Sequence, residues 1–336
     1  MPSFRTAAVL EVLLERPGLQ RVATDEGRAY VLTQLTGSVA VGDRVVLNTT
    51  AVELGLGTGG WHIVHWNLER DAWGEPGPGH IMKLRYTSLQ VDTGAAEEAH
   101  PDLAGDLGGM PVVVCSLHSQ VPCVAAALLA AVPTARIVYV MTDGAALPIV
   151  LSDLVTAMVA RGLLAATITA GHAFGGDLEA VSIPSALALA RGMLSADVVI
   201  VAMGPGVVGT GSPLGTTSVE VAHVLDSAAA LGGRPVAALR MSSGDTRERH
   251  QGVSHHTRTA LDLTRSCVTI ASPHEGAFAH DRHDVQVAEP PVMSSILADA
   301  GLVVTTMGRG PEEDPLFFAA AGAAGTLAAR LLDVAR

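Results

Sequence analysis

After Met110 the chain alternates short apolar segments with helical stretches, and no other feature constrains its fold as much. The apolar segments carry hydrophobic residues at successive positions, so both faces of each would be buried. Strands buried on both faces and joined by helices form parallel sheets that helices cover on both sides. We therefore predict a doubly wound, mostly parallel, Rossmann-like α/β domain over residues 111–336. Its main strands are Pro111–Leu117, Arg136–Met141, Ala165–Ala170, Asp197–Met203, Pro235–Met241 and Cys267–Ala271.

The segments between and after these strands complete the predicted domain. Helices are expected at Val121–Ala131, Leu151–Arg161, Pro184–Ser195 and Ser218–Leu231, and further short strands at Val285–Ala288 and Leu302–Thr306. The stretch Asp314–Val334 is predicted to be a closing helix, with Phe317, Phe318, Gly322 and Gly325 in it. Such a helix either covers the core or pairs with a second copy of the chain, so a homo-oligomer stays open.

Residues 1–92 have a different pattern, in which strand-forming residues are broken by turns. Strands are expected at Phe4–Glu15, Gln20–Leu35, Arg44–Leu54, Trp61–Leu68 and His80–Asp92. Asp25–Gly27 supplies turn residues inside the second run, which predicts a hairpin there. Several short strands at this spacing are typical of a small β-rich, barrel-like domain. Residues 93–110 lack periodicity and are the expected linker.

The charge and the lysine content exclude several classes of protein. A formal net charge of −12 argues against nucleic acid as a partner, because non-specific binding needs clustered cations. Lys83 is the only lysine, and no glycine-rich phosphate loop precedes it. A Walker-type phosphate loop needs a lysine after its glycines, so P-loop hydrolysis and a lysine Schiff base elsewhere are excluded.

No membrane span or export signal is expected from the sequence. A spanning helix needs about 20 nearly uncharged residues, and Ala145–Ala170 is interrupted by Asp153. Met1–Leu10 lacks the charged-then-apolar order of a signal peptide. An odd number of cysteines in apolar stretches favours buried thiols in a reducing compartment. We expect a cytoplasmic protein whose thiols are Cys115, Cys123 and Cys267.

Functional side chains are expected at one edge of the predicted sheet. In open parallel sheets, ligands bind beyond the carboxyl ends of the strands, where loops and helix N-termini converge. Polar residues concentrate directly after these strand ends, whereas the strands are apolar. Asp143 follows its strand at once and is a candidate general base. The catalytic candidates at this edge are Asp143, His118, His172 and His255.

The strongest local motif follows the strand Asp197–Met203. The glycines after it match G-x-G-x-x-G, a spacing that lets backbone amides approach a pyrophosphate where a helix begins. The residues expected to cradle an anion are Gly204, Gly206, Gly209, Thr210 and Gly211.

Three features depart from a dinucleotide-binding motif. Pro205 removes one amide donor. Thr217 and Glu220 form a capping-box pattern, which starts the helix late and makes Glu220 a cap rather than a ribose ligand. The next strand ends in Arg240, which could face a 2′-phosphate. A dinucleotide site, another anion-binding loop and a purely structural loop all remain possible, and the cofactor stays open.

Histidine is the second signal. Six of the 13 histidines fall within His250–His283, beside acidic residues. Imidazole and carboxylate ligands suit zinc, iron or manganese, but the spacing matches neither H-E-x-x-H nor a Cys-His finger. Solvated loop histidines are the alternative interpretation. The candidate metal ligands are His274, Glu275, His280 and His283.

His255 and His256 have a separate interpretation. Ser254 is a candidate N-cap, which would place both histidines in a first helical turn. The positive end of the helix dipole disfavours protonation there. A neutral imidazole beside a ligand loop could donate a hydrogen bond to an oxyanion or phosphate.

Several segments carry a resemblance that covers most of the chain, namely Gly42–Thr50 with Gly57–Val64, His80–Gln90, Gly204–Thr217 and His255–Leu261. In them the chain resembles a bacterial protein family known only as a domain of unknown function. The resemblance implies no established activity, cofactor or catalytic residue.

Three functions follow as hypotheses. The first is an enzyme or ligand-dependent protein that binds a small anionic, phosphate- or nucleotide-like molecule at the carboxyl edge of the sheet. The second is a non-catalytic binding or scaffold protein. The third is a metal-dependent hydrolase that uses the His250–His283 cluster.

Overall fold

The first of two compact units contains a closed five-stranded barrel. The computed structural model describes residues 1–333 and divides into Met1–Gly94 and Ala95–Arg336. The barrel strands are β1 (Phe4–Arg16), β2 (Leu19–Thr24), β3 (Gly27–Leu32), β4 (Arg44–Asn48) and β5 (Trp61–Asn67). Their order is β1-β2-β3-β5-β4, in which β3 and β5 are parallel and β1 pairs with β4 to close the ring. This confirms the predicted barrel-like module.

Local backbone chemistry cuts short two of the expected strands in this unit. β4 ends at Asn48, whose side-chain oxygen accepts a hydrogen bond from Thr50 N at 3.1 Å, and a short helix follows. The expected strand His80–Asp92 is wrong over most of its length, because Leu84 and Tyr86 have φ angles of +52° and +62°. The remaining short elements are α1 (Thr33–Thr36), α2 (Thr50–Glu53), β6 (Met82–Lys83) and β7 (Val91–Asp92).

The second unit is built on an eight-stranded sheet in which every neighbouring pair is parallel. The strands are β8 (Pro111–Cys115), β9 (Ile137–Thr142), β10 (Ala166–Ala170), β11 (Leu178–Ala180), β12 (Val198–Met203), β13 (Arg234–Ala238), β16 (Thr269–Ser272) and β17 (Asp284–Val287). Their order is β11-β10-β9-β12-β8-β13-β16-β17, and the residues of the four central strands β9, β12, β8 and β13 are almost all buried. This confirms the predicted doubly wound α/β fold.

Helices cover both faces of this sheet, as burial on both faces of the strands requires. One face packs against α3 (Val121–Ala131), α4 (Asp153–Ala160), α8 (Met293–Asp299) and α9 (Pro315–Asp333). The other face packs against α5 (Ile183–Gly192), α6 (Glu220–Ala230) and α7 (His255–Leu263). Between β13 and α7 the chain also forms a small antiparallel pair, β14 (Met241–Ser242) with β15 (Gly252–Val253).

Short or irregular segments depart from the expected element list. β11 and α8 are not among the expected elements, since a strand of three residues or a helix of two turns gives little periodicity. Leu302–Thr306 is not a strand, and Thr306 forms only an isolated bridge with Arg309. Most of the expected linker 93–110 belongs to the second unit, because Leu107 is fully buried and the Glu97 carboxylate accepts a hydrogen bond from Ser185.

The closing helix is a core element of the second unit. α9 buries Phe317 and Phe318 against the sheet, whereas Val334 lies outside the described residues. By length and composition alone, Pro315–Leu332 could cross a membrane, but 67% of that window is buried inside the protein. Among the thiols, Cys115 and Cys123 are buried, whereas the expectation that Cys267 is buried is wrong.

α9 can approach α3 closely only because it lacks a side chain at position 325. A Cβ on Gly325 would lie 2.2 Å from Val124 O and 3.0 Å from the Cβ of Ala127. The atoms that a new Cβ would meet belong to the α3 backbone and to the Cβ of an alanine, and neither can rotate out of the way as a long side chain could.

We therefore expect Gly325→Ala to destabilise the fold, although alanine is the better helix former. The overpacking should lower the free energy of unfolding by about 1–3 kcal/mol, measured by urea denaturation. The control is Gly310→Ala, where the nearest atom is the Glu313 carboxylate at 3.8 Å. Equal stability of the two variants would contradict this packing.

Candidate functional site

The glycine loop after β12 lies in the middle of the carboxyl edge, because β12 pairs with β9 on one side and β8 on the other. Its beginning packs on the loop after β9, where Ala146 N donates to Pro205 O at 2.9 Å. Further on, Gly209 bridges to Thr216, and Thr210 N donates to Gly215 O at 2.7 Å. The loop is thus a folded turn of its own, and the Thr210 amide is used within it.

The start of α6 differs from the predicted capping box. The side chain of Thr216 caps the first turn by accepting a hydrogen bond from Ser218 N at 3.2 Å. Glu220, expected to cap, instead accepts a hydrogen bond from Thr142 Oγ1 at 2.5 Å, at the end of β9. The prediction that Glu220 is a cap is therefore wrong, and its carboxylate belongs to the edge of the sheet.

Glu220 and Asp143 form an acidic pair at the end of β9. Burial raises the pKa of Glu220 to about 7, against the hydrogen bond from Thr142, and the charge of Asp143 raises it further. Asp143 Oδ2 accepts a hydrogen bond from the backbone N of His172 at 3.0 Å. The structure thus brings two of the predicted catalytic residues, Asp143 and His172, together and adds Glu220.

His118 lies in a hydrogen-bonded network within the fold. Its Nε2 bonds to Ser152 Oγ at 2.7 Å, and its Nδ1 bonds to Tyr139 Oη at 3.3 Å. Tyr139 in turn donates to Ala202 O at 3.2 Å. Burial lowers the pKa of His118 to about 4, so the ring is neutral at pH 7. Both ring nitrogens are engaged, and the network ties β9 and β12 to the start of α4.

Three histidines meet at the start of α7. The helix begins at His255 as predicted, but the Ser254 hydroxyl does not cap it and instead bonds to His250 Nδ1 at 2.8 Å. The rings of His255 and His256 stack with centroids 4.0 Å apart, and each lies 5.2 Å from the ring of His250. The Nε2 atoms of His255 and His256 are buried, and neither meets a hydrogen-bond partner in residues 1–333.

The glycine loop reaches this histidine cluster through Gly209. A Cβ at position 209 would lie 2.9 Å from Cε1 of His256, so only glycine lets the loop approach the ring this closely. Burial and the neighbouring His255 lower the pKa of His256 to about 4. Burial and Arg249 lower the pKa of His255. The neutral imidazole predicted for His255 agrees with these directions, but burial and arginine are the causes.

A buried arginine lies beside the histidines. Arg240 is only 8% exposed, and within the described part of the chain its guanidinium has no hydrogen-bond partner and no carboxylate within 4 Å. Burial lowers the pKa of Arg240 to about 10, and the charge of Arg247 lowers it further, whereas the charge of Asp245 raises it. Arg309 and Arg249 act in the same direction as Arg247. Arg240 is thus a largely buried cation in surroundings that are positive on balance.

The carboxylates closest to this region are already engaged. Asp245 receives two bonds from Arg247, at 2.9 Å to Oδ1 and 2.7 Å to Oδ2. Those bonds hold the pKa of Asp245 far below its usual range. Asp314 accepts from Ser242 Oγ at 2.6 Å and from Arg309 Nε at 3.2 Å. Two arginines are paired in this way, and Arg240 is not.

The predicted metal ligands lie elsewhere and do not form a cluster. His274 Nδ1 bonds to Glu275 O at 3.0 Å, and His283 Nε2 bonds to Leu261 O at 2.9 Å. His280 stacks on His283 with centroids 4.4 Å apart. Within residues 1–333, three potential ligand atoms within 4.8 Å of one another occur only at His250, His255 and His256. The ring nitrogens of the predicted set are partly used to hold backbone oxygens in place.

Sequence reasoning therefore underrated three residues. The sequence indicates Arg240 only as a residue at a strand end, and Glu220 only as a helix cap. His250 was counted within a histidine-rich stretch, but its pairing with Ser254 places it on the same side as the first turn of α7. A histidine four residues before a helix N-cap serine is the signal that could have indicated this cluster.

Comparison with known proteins gives a family and no activity. A search of the curated proteins found no match. The crystal structure of YjeQ from Thermotoga maritima aligns with 84% of this chain and 73% of that chain at 12% identity, but the TM-score of 0.15 is too low to indicate a shared fold. The model of a family described as "Protein of unknown function (DUF3866)" matches residues 28–325. The resemblance noted in the sequence is confirmed, and the chain belongs to the DUF3866 family.

Proposed function

We propose that this protein binds a small anionic, phosphate- or nucleotide-like ligand at the carboxyl edge of its parallel sheet, with Arg240 as the principal contact. The observation that carries the proposal is that Arg240 is only 8% exposed and, within residues 1–333, makes no hydrogen bond and has no carboxylate within 4 Å. A buried charge is costly unless it is paired and hydrogen-bonded. Arg240 has five N–H donors in a planar fork, which match the oxygens of a phosphate or carboxylate.

The surroundings of Arg240 favour an external anion over an internal one. Asp245 and Asp314 are held by Arg247, Arg309 and backbone amides, so their charges are already neutralised. Arg247, Arg249 and Arg309 add positive potential at the same place. Arg247 and Arg309 are balanced by the two carboxylates that they hold, so the positive charge left over for an entering anion is that of Arg240 and Arg249.

The glycine loop contributes to this proposal as a wall of the site. Gly209 contacts the histidine cluster, whose pKa values respond to the charge of Arg240. Gly204, Gly206, Thr210 and Gly211 lie in the same loop, and we assign them to the ligand cradle. Because Thr210 N donates within the loop, we expect the arginine rather than a row of amides to provide most of the affinity. We also propose a cytoplasmic location, in keeping with three free thiols.

Replacing Arg240 by methionine should separate ligand binding from stability. In phosphate-free buffer with EDTA, Arg240→Met should melt at the same temperature as the native protein or higher, because it removes an unpaired buried charge. Inorganic phosphate at 100 times its Kd should stabilise the native protein by about 2.7 kcal/mol and leave the variant unaffected. Thermal unfolding at a series of phosphate concentrations measures both effects.

The control for loss of one positive charge is Arg258→Gln. Arg258 is exposed on α7 and lies over the ring of Phe278 at 5.3 Å. This variant should keep the full increase in melting temperature with phosphate. Stabilisation by phosphate acting as a general salt would be the same in both variants, so the difference between them measures the effect of Arg240. A native protein that no phosphate, nucleotide or sugar phosphate stabilises would favour the scaffold hypothesis instead.

We further assign the acid–base chemistry of this edge to Asp143 and Glu220. Asp143 is the candidate general base from the sequence, and its carboxylate already accepts a hydrogen bond from His172 N. Glu220, with a pKa raised to about 7, can both hold and release a proton at neutral pH.

The raised pKa of Glu220 predicts that stability falls as pH rises. Between pH 4.5 and about 7 the folded state binds a proton at Glu220 that the unfolded state does not, so the free energy of unfolding decreases across this window. Glu220→Gln should remove up to about 3 kcal/mol of that decrease. The free energy of unfolding of the variant should therefore match that of the native protein at pH 5 and exceed it at pH 8. Urea denaturation at both values of pH provides the measurement.

Asp226 on the same helix supplies a control of opposite sign. Its pKa is lowered, because hydrogen bonds from the backbone amides of Ser266 and Arg265 to its carboxylate outweigh desolvation. Asp226→Asn should therefore lose stability above pH 4 rather than gain it. If Glu220→Gln were less stable than the native protein at pH 8, the assignment of a near-neutral pKa would be wrong.

A further inference from the structure

We propose that His250, His255 and His256 bind a single divalent transition-metal ion, for which Zn²⁺ is the expected occupant. Their candidate ligand atoms all lie within 4.8 Å of one another. Imidazole nitrogen is a ligand that suits zinc, copper, iron and nickel. This set replaces the ligands expected from the sequence, and it stands on the histidine geometry rather than on the proposed anion site.

The first support is that two of the three histidines present nitrogen atoms with no partner. The Nε2 atoms of His255 and His256 are buried, and neither meets a donor or acceptor within the described residues. His256 is only 4% exposed. Buried polar atoms in proteins nearly always have a partner, so two unsatisfied nitrogens side by side point to a group that the two rings share.

The second support is the orientation of His250. Its Nδ1 bonds to the buried hydroxyl of Ser254 at 2.8 Å. Metal-bound histidines usually donate the N–H that does not face the ion to a fixed oxygen, which sets the tautomer and the ring orientation. With Nδ1 donating to Ser254, the lone pair of His250 Nε2 is free for the ion.

The approach of the three rings requires a modest rearrangement. Zinc–nitrogen bonds are about 2.0–2.1 Å long, which puts two ligands of one tetrahedral ion about 3.3 Å apart. The His255 and His256 rings are inclined by 28°. The ligand atoms already lie within 4.8 Å of one another, so they must approach by about 1.5 Å at most. Gly209, which has no side chain, lies against the His256 ring.

Three imidazoles without a carboxylate leave a coordination position open. Structural zinc sites are closed by four protein ligands, whereas catalytic sites have three and hold water or substrate in the fourth position. Arg240 and Arg249 act electrostatically on these histidines and oppose a second cation there. An anion held by Arg240 would supply the compensating charge, and this clause alone rests on the proposed function.

The test is a titration of tag-free, EDTA-treated protein with Co²⁺, whose visible spectrum reports nitrogen ligation and geometry, and with Zn²⁺ in competition. We expect one equivalent of Co²⁺ to bind with a tetrahedral spectrum and Zn²⁺ to displace it. His255→Ala and His256→Gln should each weaken binding at least about tenfold, and Ser254→Ala should weaken it about 10–100-fold. The matched controls His274→Ala and His280→Ala should bind as the native protein does.

Two further measurements decide the remaining outcomes. Should a variant unfold, the native protein itself still tests the site, because Zn²⁺ must raise its melting temperature with the logarithm of the free Zn²⁺ concentration above the Kd. Binding that persists in His255→Ala and His256→Gln but disappears in His274→Ala or His280→Ala would overturn the assignment, as would no binding by the native protein. Repeating the titration with 10 mM phosphate should tighten metal binding about fivefold or more. Metal binding without that change supports the metal site and contradicts only its link to Arg240.

Discussion

The parallel pairing of β12 with β8 on one side and β9 on the other places the loop that follows β12 in the middle of the carboxyl edge of the sheet. β12 is paired in parallel with β9 from Val198 to Met203 and with β8 from Val199 to Ala202. Because all eight strands run in the same direction, their carboxyl ends share one edge. The chain that leaves β12 must then cross β8 to reach β13. Its glycine loop therefore contacts the loop that follows β9, beside Asp143, at one end and His256 of α7 further on.

The sequence was sufficient for this architecture where burial is complete. Segments such as Ile137–Thr142 and Val198–Met203 are apolar at almost every position, and only a sheet covered on both faces buries them fully. It was insufficient where one or two residues determine whether a strand continues or ends. Asn48 ends a strand through a hydrogen bond to the next turn, and Leu84 and Tyr86 adopt left-handed backbone that no periodicity indicates. Edge strand β11 is too short to produce a pattern.

The site was less predictable than the fold, because its important properties are relations between distant residues. The glycine spacing identified the right loop, but its internal hydrogen bonds, such as Thr210 N to Gly215 O, depend on the folded turn. His118 looked like the other edge histidines until Ser152 and Tyr139 were found to occupy both its nitrogens. Within residues 1–333 Arg240 has no ion-pair partner, whereas Arg309 has two carboxylates, and arginines scattered along the sequence give no sign of this difference.

Within the described residues, Arg240 and the Nε2 atoms of His255 and His256 share one property, which is that the protein gives them no hydrogen-bond partner. Each buried donor or acceptor without a partner costs about 1–3 kcal/mol, and a charged group costs more. The neighbouring Asp245 and Asp314 show that this fold can pair arginines where it places carboxylates among them. The unpaired groups lie at the edge of the sheet where loops from several strands meet, so a ligand that enters there can supply the hydrogen bonds that the protein does not. Ligand binding and the free energy of unfolding are therefore linked at this edge. Removing the unpaired charge should abolish ligand binding and raise the stability of the ligand-free protein.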